Sequence, residues 1–143
     1  MPAAVSFITL TVASLERAVN FYRDGLGWQT EGIIGTDYEN GAVAFFPLPH
    51  GQILALWPRA SLLNDLQLSD DNAQRNTSTN LSIMLAHNVA SCAEVDEFMQ
   101  VAEAAGAAVI KRATKTAWGG YAGCFQDPDQ HLWEVVWNPK FPL

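Results

Sequence analysis

The chain has 143 residues, of which 49% are hydrophobic and 16% charged, and its formal net charge is −7. This length suits a single domain that buries roughly two thirds of its unfolded surface. Fifteen acidic residues against eight basic ones disfavour nucleic acid as a partner, because no basic stripe can displace counterions from phosphates. No apolar run approaches the roughly 20 residues of a membrane-spanning helix. Two cysteines are too few for a disulfide framework, and the N-terminus does not resemble a signal peptide, so we expect a cytoplasmic protein without a membrane partner.

The first half of the chain predicts one strand, one helix and three further strands. Residues 5–12, VSFITLTV, are rich in β-branched and aromatic side chains, as is typical of a strand. The helix that follows has Ser14 as its predicted N-cap and Gly25 or Gly27 as its end. Short apolar segments separated by Gly, Asn, Asp and Pro then predict three strands, WQTEGIIGTDY, GAVAFFPL and QILALWP.

The second half predicts the same order of elements. NLSIMLAHNV is strand-like, and SCAEVDEFMQVAEAAGA is an amphipathic helix in which Ser91 and Glu94 form a capping box. Three more strand candidates follow, AAVIKRAT, YAGCFQD and HLWEVVW. The predicted order is therefore βαβββ in each half.

Two short matches align the halves as an internal repeat. Val12-Ala13-Ser14 recurs as Val89-Ala90-Ser91, and Phe46 with Pro49 recurs as Phe125 with Pro128. We predict a first module over residues 5–58, a linker over 59–79 and a second module over 80–139, all within a single domain of residues 1–143. The polar linker suits a mobile connection with one helical turn at SLLNDL.

Glu134 is the residue in HLWEVVW that most needs an explanation. A buried carboxylate must be paired, hydrogen-bonded or protonated, because its unpaired transfer out of water costs at least several kcal/mol. Strand alternation places Leu132, Glu134 and Val136 on one face, where a cavity would form if the helices cover the other. A functional carboxylate is one interpretation. The alternative is a structural ion pair with a basic residue, for which the candidates are Arg17, Arg23, Lys111 and Arg112.

The opening FITLTVASLERAVNFYRDGLGW and the closing WGGYAGCFQDPDQHLWEVVWNP resemble the vicinal oxygen chelate superfamily. This superfamily includes glyoxalases, fosfomycin and bleomycin resistance proteins, and extradiol dioxygenases. The resemblance implies an α+β fold in which two βαβββ modules form a curled mixed sheet around a shared cavity. It also implies a divalent metal near the centre in many members, and a homodimer. One departure is Gln130, which stands where the superfamily's Asp-Pro-Asp turn has glycine.

The metal-ligand positions implied by the resemblance are Phe7, Ala55, Met84 and Glu134. Only Glu134 suits a hard or borderline cation, and a stable site generally needs three or four N, O or S donors. Sliding the alignment by three residues replaces Met84 with His87, and even then only two donors result. We therefore favour no cofactor and no metal site. A divalent metal held by Glu134 and His87 remains the alternative.

The remaining site candidates are aromatic or apolar. Trp118 and Tyr121 flank the Gly119-Gly120 pair and could place two rings over a cavity mouth, although an ordinary tight turn explains them equally. Other candidate ligand contacts are Phe7, Trp57 and Met84.

The favoured function is metal-independent binding of a small organic molecule, with Glu134 holding a cationic or hydrogen-bond-donating group. The alternative is a lyase, isomerase or dioxygenase that uses Glu134 as metal ligand or general base. A third interpretation is a filled core in a protein that acts through its surface. The residues leave the ligand's identity open.

Overall fold

The computed structural model describes residues 1–69 and 80–141, which form two separate four-stranded sheets. The chain divides into two compact units, Met1–Arg75 and Asn76–Leu143. Each unit follows the order βαβββ around a mixed, open sheet, so the predicted α+β fold with two such modules is confirmed. The division falls within the predicted 59–79 linker, of which residues 70–79 lie outside the described part.

The first module consists of one sheet with α1 packed on one face. Its elements are β1 (Phe7–Val12), α1 (Leu15–Val19), a π-helix (Asn20–Gly25), β2 (Ile33–Ile34), β3 (Val43–Pro47), a 3₁₀ turn (Pro49–Gly51), β4 (Ile53–Pro58) and α2 (Arg59–Asp65). The strand order is β1-β4-β3-β2, with β1 and β4 parallel and the other pairs antiparallel. Helix α2 extends over seven residues where the sequence predicted only one turn.

Helix α1 begins at the predicted residue. The Ser14 hydroxyl accepts a hydrogen bond from the Arg17 amide at 3.3 Å, which satisfies one of the free N–H groups of the first turn. The helix then widens, and the Leu26 amide donates to the Phe21 carbonyl five residues earlier at 2.9 Å. Phe21 and Tyr22 are both buried in this segment. The Tyr22 ring packs against Phe46 of β3 at 5.9 Å between centroids.

Strand β2 is much shorter than predicted. The sequence favoured a strand over WQTEGIIGTDY, but only Ile33 and Ile34 pair with β3. Gly32 and Gly35 on either side have φ values of +85° and +77°, outside the extended region of a strand. A Cβ on Gly35 would also collide with the Gly41 carbonyl, so the chain turns there instead of continuing the strand.

The second module repeats this architecture with longer elements. They are β5 (Asn80–Val89), α3 (Cys92–Ala104), β6 (Ala108–Lys115), β7 (Tyr121–Gln126) and β8 (His131–Trp137), in sheet order β5-β8-β7-β6. The predicted capping box is present: the Glu94 amide donates to the Ser91 hydroxyl at 3.2 Å. The Glu94 carboxylate in return accepts from the Ala90 amide at 2.8 Å, one residue before the N-cap.

Helix α3 covers one face of the second sheet. Val95, Phe125 and Val135 are fully buried between them. The rings of Phe98, Phe125 and Trp133 stack in series at 6.3 and 6.4 Å between centroids. None of the helices in the described ranges is long and apolar enough to cross a membrane.

From Phe7 and Met84 onward, the parallel strand pairs of the two modules share the same register. Phe7 lies opposite Ile53 in the first sheet, and Met84 lies opposite Leu132 in the second. The repeat aligned from the sequence is therefore confirmed, and Phe7 is equivalent to Met84 as Ala55 is to Glu134. The aligned Phe46 and Phe125 are both buried, at 1% and 0% exposure.

Candidate ligand-binding site

Glu134 lies on the face of the second sheet that points away from α3. It stands opposite Cys124 of β7 on one side and Ala86 of β5 on the other. Its neighbours along β8, Trp133 and Val135, are buried towards α3. Residues in register share a face, so this surface, here called the distal face, carries Met84, Ala86, Lys111, Cys124, Leu132 and Glu134.

The Glu134 side chain is partly exposed and not fully buried. The sequence predicted a buried carboxylate because the residues around it are apolar. Helix α3 covers the other face of the strand, and on the distal face Val136 is buried whereas Glu134 is partly exposed. Within residues 1–69 and 80–141, the Glu134 carboxylate forms no hydrogen bond and no ion pair. Of the basic residues considered as partners, Arg23 pairs with Asp24 at 2.9 Å and Arg112 with Glu103 at 3.3 Å.

His87 lies on the face opposite Glu134. It stands in register with Val135, and its ring packs against Phe98 of α3 at 4.7 Å between centroids. Burial lowers the pKa of His87, since an imidazolium would lose hydration there. The structure therefore does not bring His87 and Glu134 together, and it places Met84, not His87, at the position equivalent to Phe7.

The positions that the resemblance implies for metal ligands lack the donors of a metal site. The four positions hold Phe7, Ala55, Met84 and Glu134, and only the last is a suitable oxygen donor. In the part of the chain that the structure describes, no group of three or more His, Cys, Asp or Glu residues is arranged so that it could hold a metal ion. The residues present do not fit a divalent metal with the usual ligand set.

Cys124 lies beside Glu134 and responds to its charge. The pKa of the Cys124 thiol is raised, mainly by burial and further by the Glu134 carboxylate, while Lys111 acts in the opposite direction. Lys111 lies opposite Cys124 on β6, so Glu134, Cys124 and Lys111 form one row across three strands. Pairing β7 with β8 around the Asp-Pro-Asp turn places Cys124 beside Glu134, whereas the position of Lys111 depends on two register shifts in the β6–β7 pairing that strand alternation does not predict.

Tyr121 lies on the face of β7 opposite Glu134, and Trp118 lies in the turn that precedes this strand. Tyr121 points towards α3, where its hydroxyl donates to Asp96 at 2.8 Å, and this hydrogen bond raises the pKa of the phenol. Trp118 folds back over Gly120, whose missing side chain leaves room for the indole ring. The glycine pair thus forms a hairpin with aromatic packing, and Trp118 remains 45% exposed.

The first module carries its own aromatic surface on the face away from α1. Phe7 contacts Phe45 edge to face at 5.9 Å, and Phe7 is 52% exposed. Trp57 is anchored by its indole N–H, which donates to the Asn40 carbonyl at 2.8 Å. An open pocket of about 440 Å³ adjoins Phe45 and is lined by Gln29, Thr30, Glu31, Gly32, Ile34, Phe45 and Pro47. Phe45 was missed in the sequence, although its alternation with buried Phe46 indicates the opposite face.

Comparison with known families agrees with this architecture. A profile of the Glyoxalase/Bleomycin resistance protein/Dioxygenase superfamily matches residues 4–135. The chain belongs to this superfamily. A search of curated proteins gives no significant match.

Solved structures of the superfamily share the fold. A glyoxalase-related enzyme from Fulvimarina pelagi is 33% identical, with a TM-score of 0.79 over 98% of this chain and 91% of that one. A glyoxalase/bleomycin resistance protein/dioxygenase family enzyme from Burkholderia phytofirmans PsJN is 20% identical, with a TM-score of 0.73 over 94% of this chain and 98% of that one. A lactoylglutathione lyase from Agrobacterium tumefaciens is 22% identical, with a TM-score of 0.67 over 99% of this chain and 98% of that one.

Proposed function

We propose that this superfamily member binds a small organic molecule without the superfamily's metal, and that the Glu134 carboxylate holds a cationic or hydrogen-bond-donating group of the ligand. The observation that carries the proposal is a partly buried carboxylate on the distal face with no partner among the described residues. Partial burial strengthens its attraction for a cation relative to bulk water. Met84 and Leu132 beside it offer apolar contact area.

The donor set supports a metal-free site. The four positions implied for metal ligands supply a single carboxylate, which cannot replace the water shell of a divalent ion with the three or four ligands that stable sites use. The same carboxylate can accept hydrogen bonds from an ammonium or amidinium group without any further protein donor. The net charge of −7 also favours a cationic ligand over an anionic one.

Two measurements test this proposal. Untagged protein is soaked in Zn, Ni, Mn and Fe(II) and its metal content is measured beside Glu134→Ala, and we expect no stoichiometric metal in either. Hexylamine and benzylamine are then titrated into ¹⁵N-labelled protein, and we expect amide shifts around Glu134 that vanish in Glu134→Gln. Stoichiometric metal that is lost in Glu134→Ala would contradict the proposal, as would amine binding that survives Glu134→Gln.

A second candidate function is a lyase, isomerase or dioxygenase that uses Glu134 as metal ligand or general base. The observation in its favour is the 33% identity to a structure described as a glyoxalase-related enzyme. An unpaired carboxylate is also a suitable proton acceptor once a substrate excludes water. Metal that binds stoichiometrically through Glu134 would favour this candidate over simple ligand binding.

A further inference from the structure

Lys111 is the second charged group on the distal face. It stands opposite Cys124 in the β6–β7 pairing. The next residue, Arg112, points to the other side, where it pairs with Glu103 of α3 at 3.3 Å. The β6–β7 register shifts between Val109 and Lys111 and again between Lys111 and Thr114, so the face of Lys111 follows from its pairing with Cys124 and not from alternation along β6. Paired residues on adjacent strands share a face, and Lys111 therefore lies on the face of Cys124 and Glu134. The effect of the Lys111 charge on the Cys124 thiol agrees with this placement.

Lys111 and Glu134 are separated by one strand. Adjacent strands lie about 4.8 Å apart, so the two backbones are about 10 Å from each other, with Cys124 between them. Over residues 1–69 and 80–141, neither side chain takes part in an ion pair. The distal face therefore presents one negative and one positive charge on the two sides of a small thiol side chain.

We propose that the distal face binds a small zwitterion, whose cationic group is held by Glu134 and whose anionic group is held by Lys111. This inference rests on the proposed function and adds the chemical class of the ligand. A purely cationic ligand would pair with Glu134 but leave the Lys111 charge without a counterion, and a purely anionic one would be opposed by Glu134 and by the net charge of −7. In a molecule with an ammonium group at one end and a carboxylate at the other, the ammonium group pairs with Glu134 and the carboxylate with Lys111. Its apolar middle then lies over Cys124.

Three probes of matched length test the proposal by ¹⁵N NMR titration: 6-aminohexanoate, hexylamine and hexanoate. We expect 6-aminohexanoate to bind about five-fold more tightly than hexylamine, as one additional exposed ion pair would give. Hexanoate should bind more weakly than either. The shifted amides should include those of Lys111, Cys124 and Glu134, and added salt should reduce the difference between the probes.

Matched variants test separately the contributions of the Lys111 and Glu134 charges to binding. In Lys111→Gln, 6-aminohexanoate should bind no more tightly than hexylamine, whereas Arg112→Gln, on the same strand but the other face, should behave as wild type. In Glu134→Gln, both amines should lose binding. The spectrum of each variant without ligand shows whether it is folded.

The two proposals fail differently. If hexylamine binds through Glu134 but 6-aminohexanoate has no advantage, or if Lys111→Gln has no effect, the zwitterion proposal is overturned and cation binding stands. If neither amine binds, or if Glu134→Gln leaves binding intact, both proposals are overturned.

Discussion

Replacing Glu134 with leucine should stabilise the protein while abolishing binding of amines. The Glu134 carboxylate is partly buried and has no partner among the described residues, so its lost hydration is not compensated. Leucine has a similar size, suits a β-strand with apolar neighbours and contributes apolar area beside Leu132 and Met84. A residue that lowers stability where an apolar one would raise it is typical of a functional site.

The expected gain follows from the position of the side chain. Complete burial of a leucine side chain contributes about 1.5–3 kcal/mol, and a partly exposed position should yield about half of that. Relief of the partial desolvation of the carboxylate adds to this, giving about 1–2 kcal/mol in the free energy of unfolding. With an m-value of about 2 kcal/mol per molar, the urea midpoint should rise by about 0.5–1 M.

Urea unfolding followed by tryptophan fluorescence measures this change, because Trp133 is buried next to the substituted residue. Glu97→Leu on the exposed side of α3 is the matched control: it removes the same charge without new burial and should stay within about 0.5 kcal/mol of wild type. Glu134→Gln should lie close to wild type as well. A loss of 1 kcal/mol or more in both Glu134 variants would refute the reasoning, because it would mean that the carboxylate stabilises the fold through a partner.

Further outcomes follow from the same structure. Glu134→Gln should lower the pKa of the Cys124 thiol, because it removes a neighbouring negative charge. Iodoacetamide should therefore alkylate Cys124 faster at a given pH, which mass spectrometry can measure. An unchanged rate would contradict the placement of Glu134 beside Cys124. Gly120→Ala should lower the free energy of unfolding by about 1–3 kcal/mol because the added methyl displaces an indole ring, and a neutral result in thermal unfolding would argue against that packing. Gln130→Gly should raise the free energy of unfolding by up to about 1 kcal/mol, since Gln130 has a φ of +67°. An unchanged or lower value in thermal unfolding would contradict backbone strain at this turn. We also propose a homodimer that uses the edge strand β5, so Leu81→Lys, at a position 74% exposed, should halve the mass measured by light scattering.

Most of the fold could be predicted from the sequence because the repeat contains the same order of elements twice, so that each half supports the assignment of the other. The serine N-caps at Ser14 and Ser91 and the buried pair Phe46 and Phe125 fixed the alignment, and the observed register agrees with it. The predicted length of β2 was wrong because Gly32 and Gly35 adopt positive φ values and end the strand, although the segment is apolar. The π-helical widening after Val19 has no simple signal in residue periodicity.

The candidate site was only partly predictable. Alternation along β8 gave the correct face for Glu134, because the face to which a side chain points depends only on the two-residue period of a strand. The degree of burial of Glu134 could not be obtained in this way, because burial varies along one face: Val136 is buried and Glu134 is partly exposed. Tyr121 was assigned to the site from its neighbours in sequence, but its strand parity directs it to Asp96 on α3. Its role as a ligand contact remains a prediction that the placement does not favour.

Because β1–β4 and β5–β8 share a register from Phe7 and Met84 onward, the two modules can be compared position by position within one chain. Ala55 occupies in the first sheet the place that Glu134 occupies in the second, on a backbone with the same pairing. After duplication of a module, one copy can lose a reactive side chain while the other keeps it, because the backbone positions do not depend on that residue. Experiments that move Glu between these two places would therefore separate the influence of the scaffold from that of the side chain within one polypeptide.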